Sequence, residues 1–480
     1  MIRKQLKQLP ETVNLRALLA AFNMISLALM SVLVATEVFA AVPYESWAPL
    51  IRAGKCSPSH DSTAHFGISC RKGADGTAHF LFPPGIFELG GQLLVPESVT
   101  LTGAADPNDW SDPGLSPDWA EQTLFLSTNG ATDYDAAYCY ADDMVTTRAG
   151  FVLSSFVTVE RVAFQGVDTI RPADNGALCG GGAFETKGCA LNDCSNGVNN
   201  GGSDGLGSTN VTVRDVRLND FYYSEDEALI GAPVEGNYDC EEYGGPNCCF
   251  CKPNGVRSSQ VGVWVPLTRD AAGTRHLTVE RVVSRSNQAD GINLHGAVTD
   301  ATVSNVHFEN TGDDVFAVWA GDRELTEVTW MDCVAVNPGI LRPNWYGNCV
   351  ATYGLTSVTF EGLTCRAPTL SDPIPDPQKP DTSDRWRIDT SMFVFYSSFY
   401  AEYPPGNDIQ INGWTFTDLE GKEYTAEEGT MDAPAVDWEG KMVWTNSVPT
   451  GVVAPYYIPI GAEEGNMPNV YAYPGTPLPP

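Results

Sequence analysis

Short runs in which apolar and polar residues alternate, broken by Asn, Asp and Gly, recur along most of this chain. The clearest lie between Leu277 and Gly321, where L-T-V-E-R-V-V-S-R-S-N-Q-A-D-G-I-N-L-H-G is followed by A-T-V-S-N-V-H-F-E-N-T-G-D-D-V-F-A-V-W-A-G. The second run repeats the first. Val279 precedes Val303 by 24 residues, and the same offset relates Val282 to Val306, Asp290 to Asp314, Ile292 to Phe316 and Leu294 to Val318. Alternation with a period of two marks a strand with one face buried. A fixed repeat near 24 residues, made of short strands and turns, marks one rung of a β-solenoid. Ile292 and Leu294 therefore face a core, while Asn293 and His295 face outward.

The same texture extends in both directions. Thr77 to Gly103 reads as short strands with tight Gly/Pro turns and suits the opening rungs. Phe151–Phe164 and Val211–Leu218 follow as further strands. After the central pair come Leu325–Val336, Tyr353–Arg366, Ser391–Phe399 and Ile409–Phe416, which is the last clear rung. Long inserts at 165–209 and 225–256 are expected to wall a cleft or cover an edge. Ser371–Asp384 reads as an exposed excursion, and the Pro-, Tyr- and Gly-rich stretch from Val448 as an extended tail packed along the solenoid. No helix beyond two or three turns is expected after residue 40.

Stacking the two central rungs puts Asp290 over Asp314 at about 4.8 Å, the spacing of adjacent strands, with Asp313 one residue earlier on the turn. Like charges this close raise one another's pKa and separate acid from base roles. The plainer account, that Asp and Asn suit turns, explains Asn310 and Gly312 better than it explains an adjacent Asp pair facing a third Asp. Within the trio, Asp290 and Asp314 are placed to hold a water, and Asp313 is expected to be the protonated acid. Asn293 and His295 lie beside them as hydrogen-bonding groups for a bound substrate. Trp319, one rung beyond His295, and Trp264, on the preceding strand, are candidate apolar faces for the same substrate.

The segments A-D-G-I-N-L-H-G and N-T-G-D-D-V-F-A-V-W, whose Asp290 and Asp313 stand 23 residues apart, resemble the catalytic signature of glycoside hydrolase family 87. The likeness is dense over about 45 residues and diffuse elsewhere. It implies an all-β fold, a right-handed single-stranded parallel β-helix of the pectin-lyase type with long loop insertions. It also implies inverting hydrolysis of α-1,3-glucan or mixed α-1,3/α-1,4-glucan by Asp290, Asp313 and Asp314. A more distant likeness to β-helix hydrolases of pectin and dextran keeps those substrates open, as does a non-catalytic wall-binding role.

The chain has 480 residues, 28 basic against 60 acidic, and 43% hydrophobic residues, a composition suited to folding. Residues 1–40 begin with basic residues (Arg3, Lys4, Lys7, Arg16), run uncharged from Ala17 to Thr36, and end in Val38-Phe39-Ala40. This reads as a signal peptide, with an uncleaved membrane anchor as the alternative. The remaining 41–480 are expected to form a single domain. That remainder holds 24 basic and 58 acidic residues, a net charge of −34. Such a charge disfavours nucleic acid and anionic membranes as partners. A neutral glucan suits it better than a polyuronate, since no Lys occurs between Lys252 and Lys379. Arg281 and Arg285 fall on another strand, and Arg342 is solitary. All 13 cysteines fall between Cys56 and Cys365, which for an exported chain implies disulfides with one thiol left over. Cys189/Cys194 are a local candidate pair. The Cys240, Cys248, Cys249, Cys251 cluster lacks zinc-ligand spacing, and neither metal nor cofactor is expected. Asn210, in Asn210-Val211-Thr212, is an N-glycosylation acceptor motif. The expected product is a secreted monomer acting on a polysaccharide.

Overall fold

The structure, a computed structural model, describes residues 41–56, 66–104, 122–128, 150–166, 182–189, 194, 197, 199–219, 259–270, 272–287, 289–319, 326–339, 348–353 and 357–366. Beyond these it describes the strands at 393–396, 408–417, 423–426, 435–436 and 442–443. The expected leader, the Cys240–Cys251 cluster, Arg342, the Ser371–Asp384 excursion and the stretch from Val448 lie outside these residues. No helix among the described residues is long and apolar enough to cross a membrane.

Two parallel ladders run the length of the fold and make it a parallel β-helix. One sheet stacks Leu93–Val95, Phe151–Leu153, Gly182–Thr186, Val261–Val265, Ile292–His295, Phe316–Trp319, Val350–Tyr353 and Phe393–Tyr396 in chain order. The other stacks longer segments, among them Thr158–Gln165, Thr209–Leu218, Thr274–Ser284, Val298–Ser304, Thr326–Met331, Ser357–Arg366 and Asp408–Thr417. The 24-residue offset holds in both. Ile292 pairs with Phe316 and Leu294 with Val318 in the first sheet, and Val279 pairs with Val303 in the second. Their inward side chains join one continuous core.

The chain turns its corners by a repeated device. Arg161, Asp215, Arg281, Asn305, Asp332, Gly362 and Gly413 all have positive φ at the same place in successive rungs, either inside a long strand or, at Asn305 and Asp332, between two shorter ones. A single left-handed residue swings the strand direction without an intervening loop. Asn and Asp tolerate that region better than most side chains, which is why the sequence breaks its alternation with them. A second corner uses Asn219, Asn310 and Asn337. Here Asn337 Nδ2 donates to Asn310 Oδ1 at 2.9 Å and Asn310 Nδ2 to the Arg285 carbonyl at 3.0 Å, so the corner carries its own side-chain ladder.

The N-terminal end of the core is closed by helix α1 (Tyr44–Arg52), whose buried face is Tyr44, Trp47, Ala48 and Ile51. That i, i+3, i+4, i+7 spacing is a helical apolar stripe. Trp47 is fully buried against Phe82, Phe87, Phe125 and Phe151, and its indole N–H donates to the Glu88 carbonyl at 2.9 Å. Disulfides join Cys56 to Cys70, Cys189 to Cys194 as expected, and Cys349 to Cys365. Among the described residues Cys333 is the unpaired thiol, held in the core.

Candidate active site

Three successive rungs of the short-stranded sheet begin alike. Asp290 lies two residues before Ile292–His295, Asp314 two before Phe316–Trp319, and Asn348 two before Val350–Tyr353. The register therefore brings Asp290, Asp314 and Asn348 into one column, and Asp313 joins it from the Thr311–Asp313 turn. Gly291 makes the close stacking possible, because a Cβ there would meet the Val315 carbonyl at 2.6 Å. Among the described residues, Asp290, Asp313 and Asp314 are the one set of three carboxylate, imidazole or thiol groups that converges. One oxygen from each lies within 4.8 Å of the others.

Neighbouring groups hold these carboxylates in place. Asn293 Nδ2 donates to Asp290 Oδ2 at 2.7 Å. Asp314 Oδ1 accepts from both the backbone N–H and the Nδ2 of Asn348, at 2.9 and 2.7 Å. The Thr311 hydroxyl donates to the Asp313 carbonyl at 2.6 Å and fixes the turn. Asp314 is only 2% exposed. Burial pushes its carboxyl well above the ordinary carboxylate range, the charges of Asp313 and Asp290 add to this, and the Asn348 bonds oppose it. The carboxyl raised in this way is that of Asp314, whereas the turn position points to Asp313 as the acid. Asp314 is the deeper of the adjacent pair and has a carboxylate on either side. With Oδ1 taken by Asn348, a proton on Asp314 belongs on Oδ2. Two hydrogen bonds of ordinary length span up to about 5.5 Å, so a single water can touch two of these carboxylates at once.

The flanking residues fall where the register puts them, but less openly than alternation implies. Asn293 is buried, with Oδ1 lacking a hydrogen-bond partner among the described residues. His295 is 1% exposed, neither ring nitrogen has a hydrogen-bond partner among the described residues, and burial lowers its pKa to about 3. Its ring stacks on Trp319 at 4.6 Å and 20°. Trp319 is half-buried and remains a candidate sugar face. Trp264 does not: it is 3% exposed and packs with Val261 and Ala289 in a small cluster outside the main core. It supports the outer face of the sheet and presents no open ring. Alternation correctly assigned these residues to the outer side, but burial there depends on what lies over the sheet.

Sequence reading missed Asn348. Its signal was present, since N-C-V-A-T-Y repeats D-V-F-A-V-W, but the offset has lengthened from 24 to 34 residues. Glu185 was also missed. It follows Trp264 in the outward column and is buried, accepting from Gly182 N–H, Asn200 Nδ2 and Gln92 Nε2. It anchors the turn around Asn200 and is two rungs removed from the aspartates.

Fold and site together define a parallel β-helix protein with a triple-aspartate cluster at the start of two adjacent rungs. No protein-family model and no curated protein matches the chain. Among solved structures it is similar to a variant catalytic domain of an α-1,3-glucanase of glycoside hydrolase family 87 in complex with tetrasaccharides. That match has 14% identity, covers 70% of this chain and 40% of that one, and has a TM-score of 0.38. It is also similar to the catalytic unit of a thermostable family 87 α-1,3-glucanase from Streptomyces thermodiastaticus (16% identity, 75% and 49% coverage, TM-score 0.35). The surface protein and adhesin PfbA of Streptococcus pneumoniae matches at 11% identity, with 72% and 91% coverage and a TM-score of 0.29. The chain spans about two fifths of the length of the first of these.

Proposed function

We propose that this protein is an exported glycoside hydrolase that cleaves a neutral α-glucan, α-1,3 or mixed α-1,3/α-1,4, with inversion at the anomeric carbon. The observation that carries this reading is the convergence of Asp290, Asp313 and Asp314, with one member set apart by its raised pKa. Glycoside hydrolysis needs a carboxylic acid to protonate the leaving oxygen and a carboxylate to work on the other face of the sugar. Asp314 supplies the acid. Asp290, held by Asn293, and Asp313 orient and deprotonate the attacking water. A third carboxylate favours water over a carboxylate as nucleophile, because the base role can be shared while the proton stays on Asp314. Substrate class follows from the resemblance of the two aspartate segments to family 87 and from a net charge of −32 that repels polyuronates. Export follows from the character of residues 1–40 and the cysteine content.

The test is hydrolysis of a panel of neutral glucans and pectins by the full chain and its Asp→Asn variants. Each of D290N, D313N and D314N should lose roughly 10²–10⁴ in rate for its proton-transfer role while remaining folded. Oxygens within 4.8 Å lie closer than the usual carboxyl separation of inverting enzymes, about 6.5–9.5 Å. The product anomer, read by proton NMR in the first minutes, is therefore the sharpest measurement: β from an α-linkage is expected, and α would sink inversion. Full activity in both D313N and D314N would leave the trio as turn-formers. Because three carboxylates can also hold a cation, a second reading is cation-dependent cleavage of a uronate polymer. Activity abolished by a chelator and restored by calcium would establish that reading in place of the first.

A further inference from the structure

On the outer face of the long-stranded sheet lies a groove of about 540 Å³. Its floor is a register of threonines, Thr100, Thr158, Thr212 and Thr278, each paired with the next in successive rungs. One wall is a corner column of left-handed residues in which Phe156, Asn210 and His276 follow one another. Phe156 is the unusual member. Ser98, Asn210, His276, Asp300 and Glu327, at the same corner in other rungs, are all polar. A bulky side chain rarely adopts φ near +60°, yet Phe156 does so and leaves its ring 54% exposed, the most exposed large hydrophobic group among the described residues. Asn210, one rung away, is exposed and begins the chain's single Asn-x-Ser/Thr motif, whose third residue, Thr212, lies in the groove floor.

We propose that Asn210 carries an N-linked glycan whose first sugars lie in this groove against the Phe156 ring. In the modification step Asn210 Nδ2 forms a bond to C1 of an oligosaccharide carried on a lipid diphosphate. The C1–O bond breaks, its electron pair leaves with the diphosphate, and the proton on Nδ2 passes to solvent. The acceptor, an aromatic face and a row of hydroxyls are then within one rung of each other. Those are the groups that bind a sugar: a ring for its apolar C–H face and hydroxyls for its own. The imidazole of His276, held by Asp300 Oδ2 at 2.5 Å, closes the other side. The proposal rests on export through a glycosylating route and not on hydrolysis, and its readouts do not use activity.

The full chain is expressed in a secreting eukaryotic cell and the Asn210 peptide is weighed before and after peptide N-glycosidase digestion in heavy-oxygen water. Wild type should show one glycan at Asn210, and T212A should show none. A chain recovered from the medium with bare Asn210 overturns the modification while leaving export intact. Seating in the groove is tested by the rate at which the same glycosidase removes the glycan from the folded protein. Phe156→Ser, which installs the residue found at this corner in the Ser98 rung, should speed removal at least tenfold at an unchanged melting temperature. T158V serves as a second variant and should speed removal in the same direction. Equal rates in wild type and both variants overturn the seating.

Discussion

Asp314 and His295 each carry a pH signature that follows from burial. Asp314 has its folded pKa raised, so between the ordinary carboxylate pKa and that raised value the native state holds more protons than the unfolded chain. Its burden on stability is absent in acid and grows as pH rises through that window. Asp314→Asn should therefore raise the melting temperature at neutral pH and change it little below about pH 4, even as hydrolysis collapses. A variant that loses stability at neutral pH would contradict this account. His295 works in the opposite sense. Its folded pKa is depressed to about 3 while the unfolded chain titrates near 6.5. The unfolded state thus binds the extra proton, and stability falls as pH drops from about 6.5 towards 3, by up to about 1.4 kcal/mol per pH unit. Denaturant titrations of His295→Gln should show a flatter acid limb, and an unchanged slope would mean that the imidazole is not buried neutral.

At the scale of elements, helix α1 decides whether the solenoid core has an end. A parallel stack leaves its first rung with exposed apolar side chains, and the Trp47 ring fills that opening among four phenylalanines. Trp47→Ala should cost about 3–5 kcal/mol, the usual range for a buried Trp. Because each rung contacts only its neighbours, the loss should be felt first in the strands near Phe82 and Phe87. Hydrogen exchange should show faster opening there than around Ile292 and Phe316. Uniform loss of protection along the whole ladder would show that the rungs unfold as one unit.

Charge acts on the whole molecule. At −32 overall the protein repels polyanions over a range set by ionic strength, with a Debye length of about 30 Å at 0.01 M salt and 3 Å at 1 M. If the proposed function holds, retention on an insoluble neutral glucan should be indifferent to salt across that range, because hydrogen bonds and aromatic contact would supply it. Retention on a pectate column should be absent at low salt. Pectate binding that is strongest at low salt would place an unseen basic surface on the protein and weaken the assignment of a neutral substrate.

How much of this was legible in the chain depended on whether a feature repeats. Period-two alternation and the 24-residue offset of Ile292/Phe316 and Asp290/Asp314 determined the parallel ladder, the inward and outward faces and the meeting of the aspartates, because stacking converts a sequence offset directly into a contact. The apolar stripe of α1 and the partnership of Asn348 with Asp314 were also written in the residues. They went unread because one stands outside the repeat and the other follows a longer rung. Only the tertiary structure decided that Asp314 lies deeper than Asp313, and that His295 and Trp264 are covered while Trp319 is partly open. It alone set Phe156 beside Asn210. Burial and pKa depend on what packs over a residue from distant parts of the chain, and an alternating pattern fixes only which side of the sheet a residue faces.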